Sequence, residues 1–362
     1  MVSMATWHPE FPASWHRPSS HPLCDGAFLR LLETSGAVGR GTGWAPYHLE
    51  HRGELLPGHL KAHSYGEFIF DHAWANFYHQ HGVRYYPKLL HALPFTPVNA
   101  PKVLGAAPEE LLGMSFENYQ REAQLSGEHY LFTTAEEARL LERLGFATME
   151  TLQFHWHNRY ESFEHYLTLL SKNRRKMIKR ERQQVAQSEL VIRQIEASEL
   201  TPETMGRVYQ LYLSTIDKKD SQAYLPEAFF HQLPNAMNDK LLIVAAFKES
   251  ELIAMALFFT SPAALYGRYW GILPQHQESY PFLHFELCYY QGMDHCLAQR
   301  IPLFEAGAQG EHKLWRGFEP VKIRSAHHLR HREFFPLVRD YIREHNRQNE
   351  LALAHYRTFL PF

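Results

Sequence analysis

A chain of 362 residues that is 45% hydrophobic can bury a large core and has length for more than one domain. Its formal net charge of −2 excludes a global basic field for nucleic acid, so any polyanion site has to be local. Three cysteines exclude a disulfide framework: Cys288 and Cys296 lie on one predicted helix about 12 Å apart in rise, which leaves Cys24 alone and fits a reducing compartment.

The first stretch holds Trp, His, Pro and Glu without an apolar run, so no secretory signal is expected. Apolar runs such as LLIVAAF fall short of the roughly 20 residues a membrane span needs, and the expectation is a cytoplasmic protein without a transmembrane segment. In chain order, APYHLEHRGELLPGHLKAHSYGEFIFD reads as strand, turn, strand and extended segment. HAWANFYHQHG follows as a helix and RYYPKLLHALPF as a strand. SFEHYLTLLSKNRRKMIKRERQQVAQ reads as one long helix carrying Lys172, Arg174, Arg175, Lys176, Lys179, Arg180 and Arg182 against a lone Glu181. Such a run is either a solvated connector or a rail for CoA phosphates, a tRNA backbone or anionic lipid.

Beyond it, KLLIVAAF and ELIAMALFFT flank a polar turn as a hairpin, and AALYGRYWGI adds a third strand. LHFELCYYQGMDHCLAQR is apolar at helical spacing and stops before Pro302; PLFEAG is the next strand. The order strand, helix, strand recurs in both halves, with GELLPGHL and ESELIAMAL at similar places, so two copies of one α/β unit are expected.

The segments GRYWG, FLHFELCYYQ and FEAGAQGEHKLWRGFEP, together with HSYGEFIFD, YYPKLL, PFTPV, FHWHN and RRKMIKRER, resemble a bacterial family of predicted N-acyltransferases. These are the FemAB-like, or peptidoglycan-biosynthesis-like, members of the GNAT superfamily. The resemblance runs from about Trp15 to about Val338. It implies an α/β (α+β) fold of two tandem GNAT-like (acyl-CoA N-acyltransferase-like) units with mixed sheets, divided as 1–160, a basic connecting helix over 161–190, and 191–362. More distantly, the Fem-type aminoacyl transferases carry a Phe-Lys-x-x-Phe-Gly-like segment after a glycine loop, and Trp315, Arg316 and Phe318 take its place here. The Arg/Gln-x-x-Gly-x-Gly/Ala signature of acetyl-CoA enzymes is absent.

The implied reaction moves an acyl or aminoacyl group from a CoA- or tRNA-linked donor to an amine, with no tightly bound cofactor. The acceptor is a small molecule or a cell-wall-precursor amine. Such chemistry needs a base for the ammonium proton and donors for the oxyanion. The candidate catalytic pool is His284, Glu286, Glu305 and His312, with Glu286 preferred because Phe285 and Leu287 would desolvate it and raise its pKa. Candidate donor or acceptor contacts are Lys313, Gln309, Glu311, Arg268, Tyr269 and Arg316. In the first unit they are His63, Ser64 and Glu67, and on the basic helix Arg174, Arg175, Lys179 and Arg180. Tyr269 also fits ordinary core packing, and Gly307 and Gly310 fit a tight turn. No metal is expected, because neither His284, Cys288, Gln291 and His295 nor His327 and His331 make a recognised ligand motif. No Gly-x-Ser-x-Gly elbow suggests a serine hydrolase. The alternative from another class is a catalytically silent binder of an acidic ligand or nucleic acid.

Overall fold

The computed structural model describes residues 5–15, 17, 19–218, 222–307 and 310–362. The first elements are β1 (Thr6–His8), α1 (Gly26–Thr34), β2 (Trp44–Pro46), β3 (His48–His51), β4 (Glu54–Leu56), β5 (His59–Lys61) and α2 (His72–Gln80). Next come β6 (Lys88–His91), α3 (Pro108–Arg121), β7 (Gly127–Thr133), α4 (Ala135–Arg143) and β8 (Ala147–His157). The middle of the chain forms α5 (Phe163–Leu169), α6 (Lys172–Ala186), β9 (Leu190–Glu196), α7 (Pro202–Lys218) and α8 (Glu227–Met237). The remainder is β10 (Leu241–Lys248), β11 (Glu251–Thr260), β12 (Ala264–Ile272), α9 (Leu283–Phe285), α10 (Gln291–Gln299), β13 (Leu303–Glu305), β14 (Glu319–Leu329) and α11 (Phe334–Arg357). Among the described residues no helix is long and apolar enough to cross a membrane.

Two compact units result. The first takes Met1–Ser19, Leu23–Leu152 and Lys322–Leu353; the second takes Ser20–Pro22, Gln153–Val321 and Ala354–Phe362. The division expected from sequence was consecutive, whereas Lys322–Leu353 belongs with the first unit and the boundary falls inside β8 and β14. The first unit's sheet runs β2-β5-β6-β7-β14, with β1-β3-β4 as a separate ladder. The second unit's sheet runs β8-β13-β12-β11-β10-β9. Each sheet contains a parallel pair, β6 with β7 and β12 with β13, among antiparallel neighbours. A parallel pair needs a crossover, and α3 and the α9–α10 segment supply it. Each unit is thus of mixed α/β class.

Local chemistry explains most elements. Leu241–Ala246 is a continuous buried apolar run, so both faces of β10 are covered, while β9 and β11 pair with its two edges. Thr134 and Glu137 close a capping box that starts α4. The single long helix read over the basic run is two helices: Leu170 is extended (ψ 151°), and the Ser171 N–H leaves the helical pattern to donate to Pro361 O at 2.7 Å. Nor is α6 a free connector, since Ile178, Glu181 and Val185 bury one face of it within the second unit.

Candidate active site

In the second unit, β12 and β13 run side by side for three residue pairs only, ending at Tyr266 opposite Glu305. After Glu305 the chain turns away through Gly307, whose φ of +81° suits glycine, while β12 continues to Ile272. On its other edge β12 pairs with β11 across an irregularity: Phe258 faces Gly267 and Leu257 faces Tyr269, so Arg268 has no opposite residue. A bulge of this kind re-aims a side chain, here beside the place where the parallel strands part. A cavity of about 220 Å³ opens at the gap, with Gly267, Arg268, Tyr269 and Trp270 on one side and Ala306 and Gly307 on the other.

His284, Cys288 and Tyr289 close it from the helix. Between α9 and α10 the backbone makes one π turn, Glu286–Tyr290, and such turns recur at functional sites. Cys288 and Tyr289 line the cavity, whereas Glu286 and Tyr290 bond to residues of α6. Glu286 is buried, as expected from sequence, but its carboxylate is held by α6 rather than turned to the cavity. Its Oε1 accepts from Arg182 Nη2 at 3.1 Å and Gln291 Nε2 at 2.9 Å, and Arg182 also binds Asp294 at 2.6 Å.

Other candidates do gather at the gap. The His284 and His312 rings lie 6.4 Å apart, and His312 Nε2 is 2.8 Å from the Tyr289 hydroxyl. Burial, then the Arg316 and Lys313 charges, lower the His312 pKa, which favours a neutral ring. Lys313 is buried, its Nζ donating to Gly307 O at 2.5 Å, and burial drives its pKa down to about 7. Glu305 is buried too, and burial pushes its carboxyl up to about 8 against the pull of Arg268. His155 lies beside Glu305: its Nε2 is 3.8 Å from Glu305 Oε2, and burial, His157 and Lys313 take it down to about 3. Tyr269 packs edge-on to Tyr212, as core packing would have it, and burial raises its hydroxyl pKa.

Several expected contacts lie elsewhere. Glu311 is exposed and accepts from the Tyr356 hydroxyl at 2.6 Å. Gln309 lies outside the described residues. Arg316 is 1% exposed and binds no ligand-facing surface. Its Nη2 meets both Glu181 oxygens at 2.7 Å, its Nε reaches the Tyr290 hydroxyl at 2.8 Å, and its guanidinium stacks 3.8 Å over Phe285. It also donates to His312 O, so this ion pair holds the 3₁₀ turn Glu311–Arg316 that carries His312 and Lys313. The lone acid of the basic run is thus the buried partner of an arginine rather than a solvated residue. The rest of that run divides as well. Arg175 caps α5 through Thr168 O and Leu170 O, Arg174 stacks on Trp315 at 4.7 Å, and Lys179 pairs with Glu164 at 3.1 Å. Lys172, Lys176, Lys179 and Arg180 are exposed.

In the first unit, His63, Ser64 and Glu67 surround a buried charge network that sequence reasoning missed. Lys88 Nζ binds Glu67 at 2.8 Å, Asp71 at 2.5 Å and Ser64 Oγ at 3.0 Å; Lys61 stacks 3.6 Å over Trp44, 3.8 Å from Glu67. Burial would lower Lys88, but Asp71 and Glu67 lift it to about 12; burial would raise Asp71, but Lys88 holds it well below the carboxylate range. Burial pushes Glu67 up and Lys61 down, toward neutrality. This network braces the His63–Asp71 loop, and His63 and Ser64 line a cavity of about 660 Å³ beside it. The missed signal was a buried lysine at the end of each of two paired short strands, HLK and KLLH. Among the described residues no group of three or more His, Cys, Asp or Glu could hold a metal ion.

Buried imidazoles make a pH prediction. Burial takes His327 to about 3 and His328 to about 4, with His155 also near 3, while an unfolded histidine titrates near 6.5. A base with a depressed folded pKa is protonated first in the unfolded chain, so its stabilisation is complete above pH 6.5 and lost on acidification. Each such histidine is expected to cost about 1.4 kcal/mol per pH unit below 6.5. Glu305 and Glu67, raised by burial, oppose this by adding protons to the folded state. The His155, His327 and His328 ring resonances of the folded protein should therefore not titrate between about pH 7.5 and 5.5; titration near 6.5 would show that these rings are not held neutral.

The FemAB-like family, described as peptidoglycan biosynthesis/recognition, matches residues 3–362. No curated protein matches the sequence. Among solved structures, L-PGS from Bacillus licheniformis is similar at 10% identity and TM-score 0.54, covering 87% of this chain and 94% of its own. The C-terminal DUF2156 domain of an Agrobacterium fabrum protein, named as a lysylphosphatidylglycerol synthetase, is similar at 9% identity and TM-score 0.54, covering 86% and 88%. A tandem GNAT protein from the clavulanic acid pathway aligns at 10% identity and TM-score 0.41, over 84% of this chain and 86% of its own. The chain belongs to the FemAB-like family, and its fold is shared with L-PGS and with the DUF2156 domain.

Proposed function

We propose that the gap between β12 and β13 is where an activated acyl or aminoacyl group passes to an amine of a peptidoglycan or lipid precursor. The observation that carries this reading is the parting of the parallel strands beside two buried groups whose pKa values approach neutrality from opposite sides, Glu305 and Lys313. Pairs displaced in this way divide acid and base roles. Near pH 7.5 a neutral Lys313 amine takes the proton that the acceptor nitrogen loses as it bonds the carbonyl carbon. A protonated Glu305 gives its proton to the leaving group, a thiolate or an alkoxide, as that bond breaks. The backbone of β12 past Tyr266, without β13 beside it, offers N–H groups to the oxyanion. His284 and Tyr289, the latter hydrogen-bonded to His312, form part of the wall, and the donor is a CoA thioester or an aminoacyl-tRNA ester.

Purified protein incubated with muropeptides or aminolipids, supplied in turn with a panel of acyl-CoAs and charged tRNAs, is expected to yield an amide of the summed mass less the leaving group. Absence of any amide across the panel, with carrier-free protein that melts cooperatively, would reject the transfer reading.

A further inference from the structure

We propose that the first unit holds a ligand site of its own, for an oxyanion, phosphate or carboxylate, carried on a planar ring. Its place is the cavity of about 660 Å³ lined by the loop after β5, by α2 and by the segment leading into β6. That volume suits a small organic molecule. Every lining residue falls within Leu23–Leu152, so the wall belongs to the first unit alone. HSYGEFIFD, which supplies His63, Ser64 and Tyr65 to it, takes no part in the transfer chemistry, and the inference is independent of that chemistry.

Charge selects the oxyanion. Among the described residues the lining holds no carboxylate, and Arg84 is its one permanent cation. The loop's own acids, Glu67 and Asp71, are taken by Lys88 Nζ at 2.8 and 2.5 Å, and neither lines the cavity. A guanidinium in a wall without acids binds phosphate or carboxylate through paired N–H donors. Rings select the rest of the ligand. The Tyr65 ring is 56% exposed, with the His63 ring 5.2 Å away and the His72 ring 6.0 Å away; His72 in turn stacks on Phe70 at 5.2 Å. Such rings offer their faces to a planar group.

The wall is also fixed beforehand. Trp44 Nε1 and Lys61 Nζ both donate to Tyr65 O, at 3.0 and 3.4 Å, and the Tyr86 hydroxyl meets Ser64 Oγ at 2.9 Å. Binding is thereby spared the cost of ordering the loop. A cationic ligand would meet Arg84 with no acid to offset it, and a strand of nucleic acid, held through several phosphates, needs more than one cation.

The test is calorimetric titration of the full chain with naphthyl phosphate, naphthoate, the neutral naphthalenemethanol and inorganic phosphate. At least one of the two ring anions should bind, and which of them binds tighter tells phosphate from carboxylate as the natural group. Naphthalenemethanol and inorganic phosphate should each bind at least about tenfold more weakly than the better ring anion. Arg84→Gln should weaken that anion by a similar factor and leave naphthalenemethanol unchanged, while Tyr65→Ala should weaken both. Both side chains are exposed, and thermal unfolding checks that the variants fold. The ring resonances of His63 and His72 should shift as the anion is added. Arg268→Gln, in the second unit, should leave the titration as it is. Binding that is unchanged in Arg84→Gln, is lost in Arg268→Gln, or is equally tight for the neutral ring would overturn the proposal. So would the absence of binding by either ring anion at millimolar concentration.

Discussion

Glu305→Gln and Lys313→Met are each expected to slow transfer by about two to four orders of magnitude, while donor binding changes little. The pH profile separates their roles. With Lys313 near 7 acting as base and Glu305 near 8 acting as acid, kcat/KM should rise as Lys313 loses its proton and fall as Glu305 loses its own, with a maximum between the two. Lys313→Met should remove the rising limb, and Glu305→Gln the falling one. Glu286→Gln serves as comparison: its carboxylate is bound by Arg182 and Gln291, so both limbs should persist whatever the rate. Survival of both limbs in the Lys313 and Glu305 variants would assign the proton transfers to other groups, with His312 the next to test.

Arg316→Met should unfold the second unit's helical packing at markedly lower temperature. Removing one partner of a buried ion pair leaves the other charge unpaired, at a cost of about 3–5 kcal/mol. Glu181 would keep only the Tyr290 hydroxyl, and the guanidinium stack on Phe285 would be lost. Adding Glu181→Met should recover much of the loss, because two apolar side chains replace two charges. The informative readout is the comparison of single and double variants by thermal unfolding. A single-variant loss below about 1 kcal/mol would mean that water reaches Glu181 and that the pair is not buried in solution. Transfer should suffer in the single variant even below its melting temperature, since the same arginine holds the turn that bears Lys313.

Much of the fold was legible because local patterns carry it. The apolar runs at Leu241–Lys248 and Glu251–Thr260, split by a polar turn, specify a hairpin without reference to the rest of the chain. The long apolar-spaced segment before Pro302 is helical, and the strand ending in Glu305 stands where the pattern puts it. Less was legible where a residue's partner comes from far along the chain. Glu181 is polar in a basic helix by every local measure; only Arg316, 135 residues away, makes it a core residue. The break after Leu169 and the sharing of β8 and β14 have the same origin, in neighbours that no short window contains.

The site divides along the same line. By itself the sequence determined which chemistry is available: a dense set of His, Glu, Lys and Arg between His284 and Arg316, on a helix, a strand end and a loop of predictable kind. Only the tertiary structure decided which of them can use it. The π turn sends Glu286 to Arg182 and leaves Cys288 and Tyr289 at the gap, while burial shifts Glu305 and Lys313 toward neutral pH. Side-chain identity is local, but desolvation and pairing energies depend on everything that surrounds a charge, and those surroundings exist only after the strands and helices have packed.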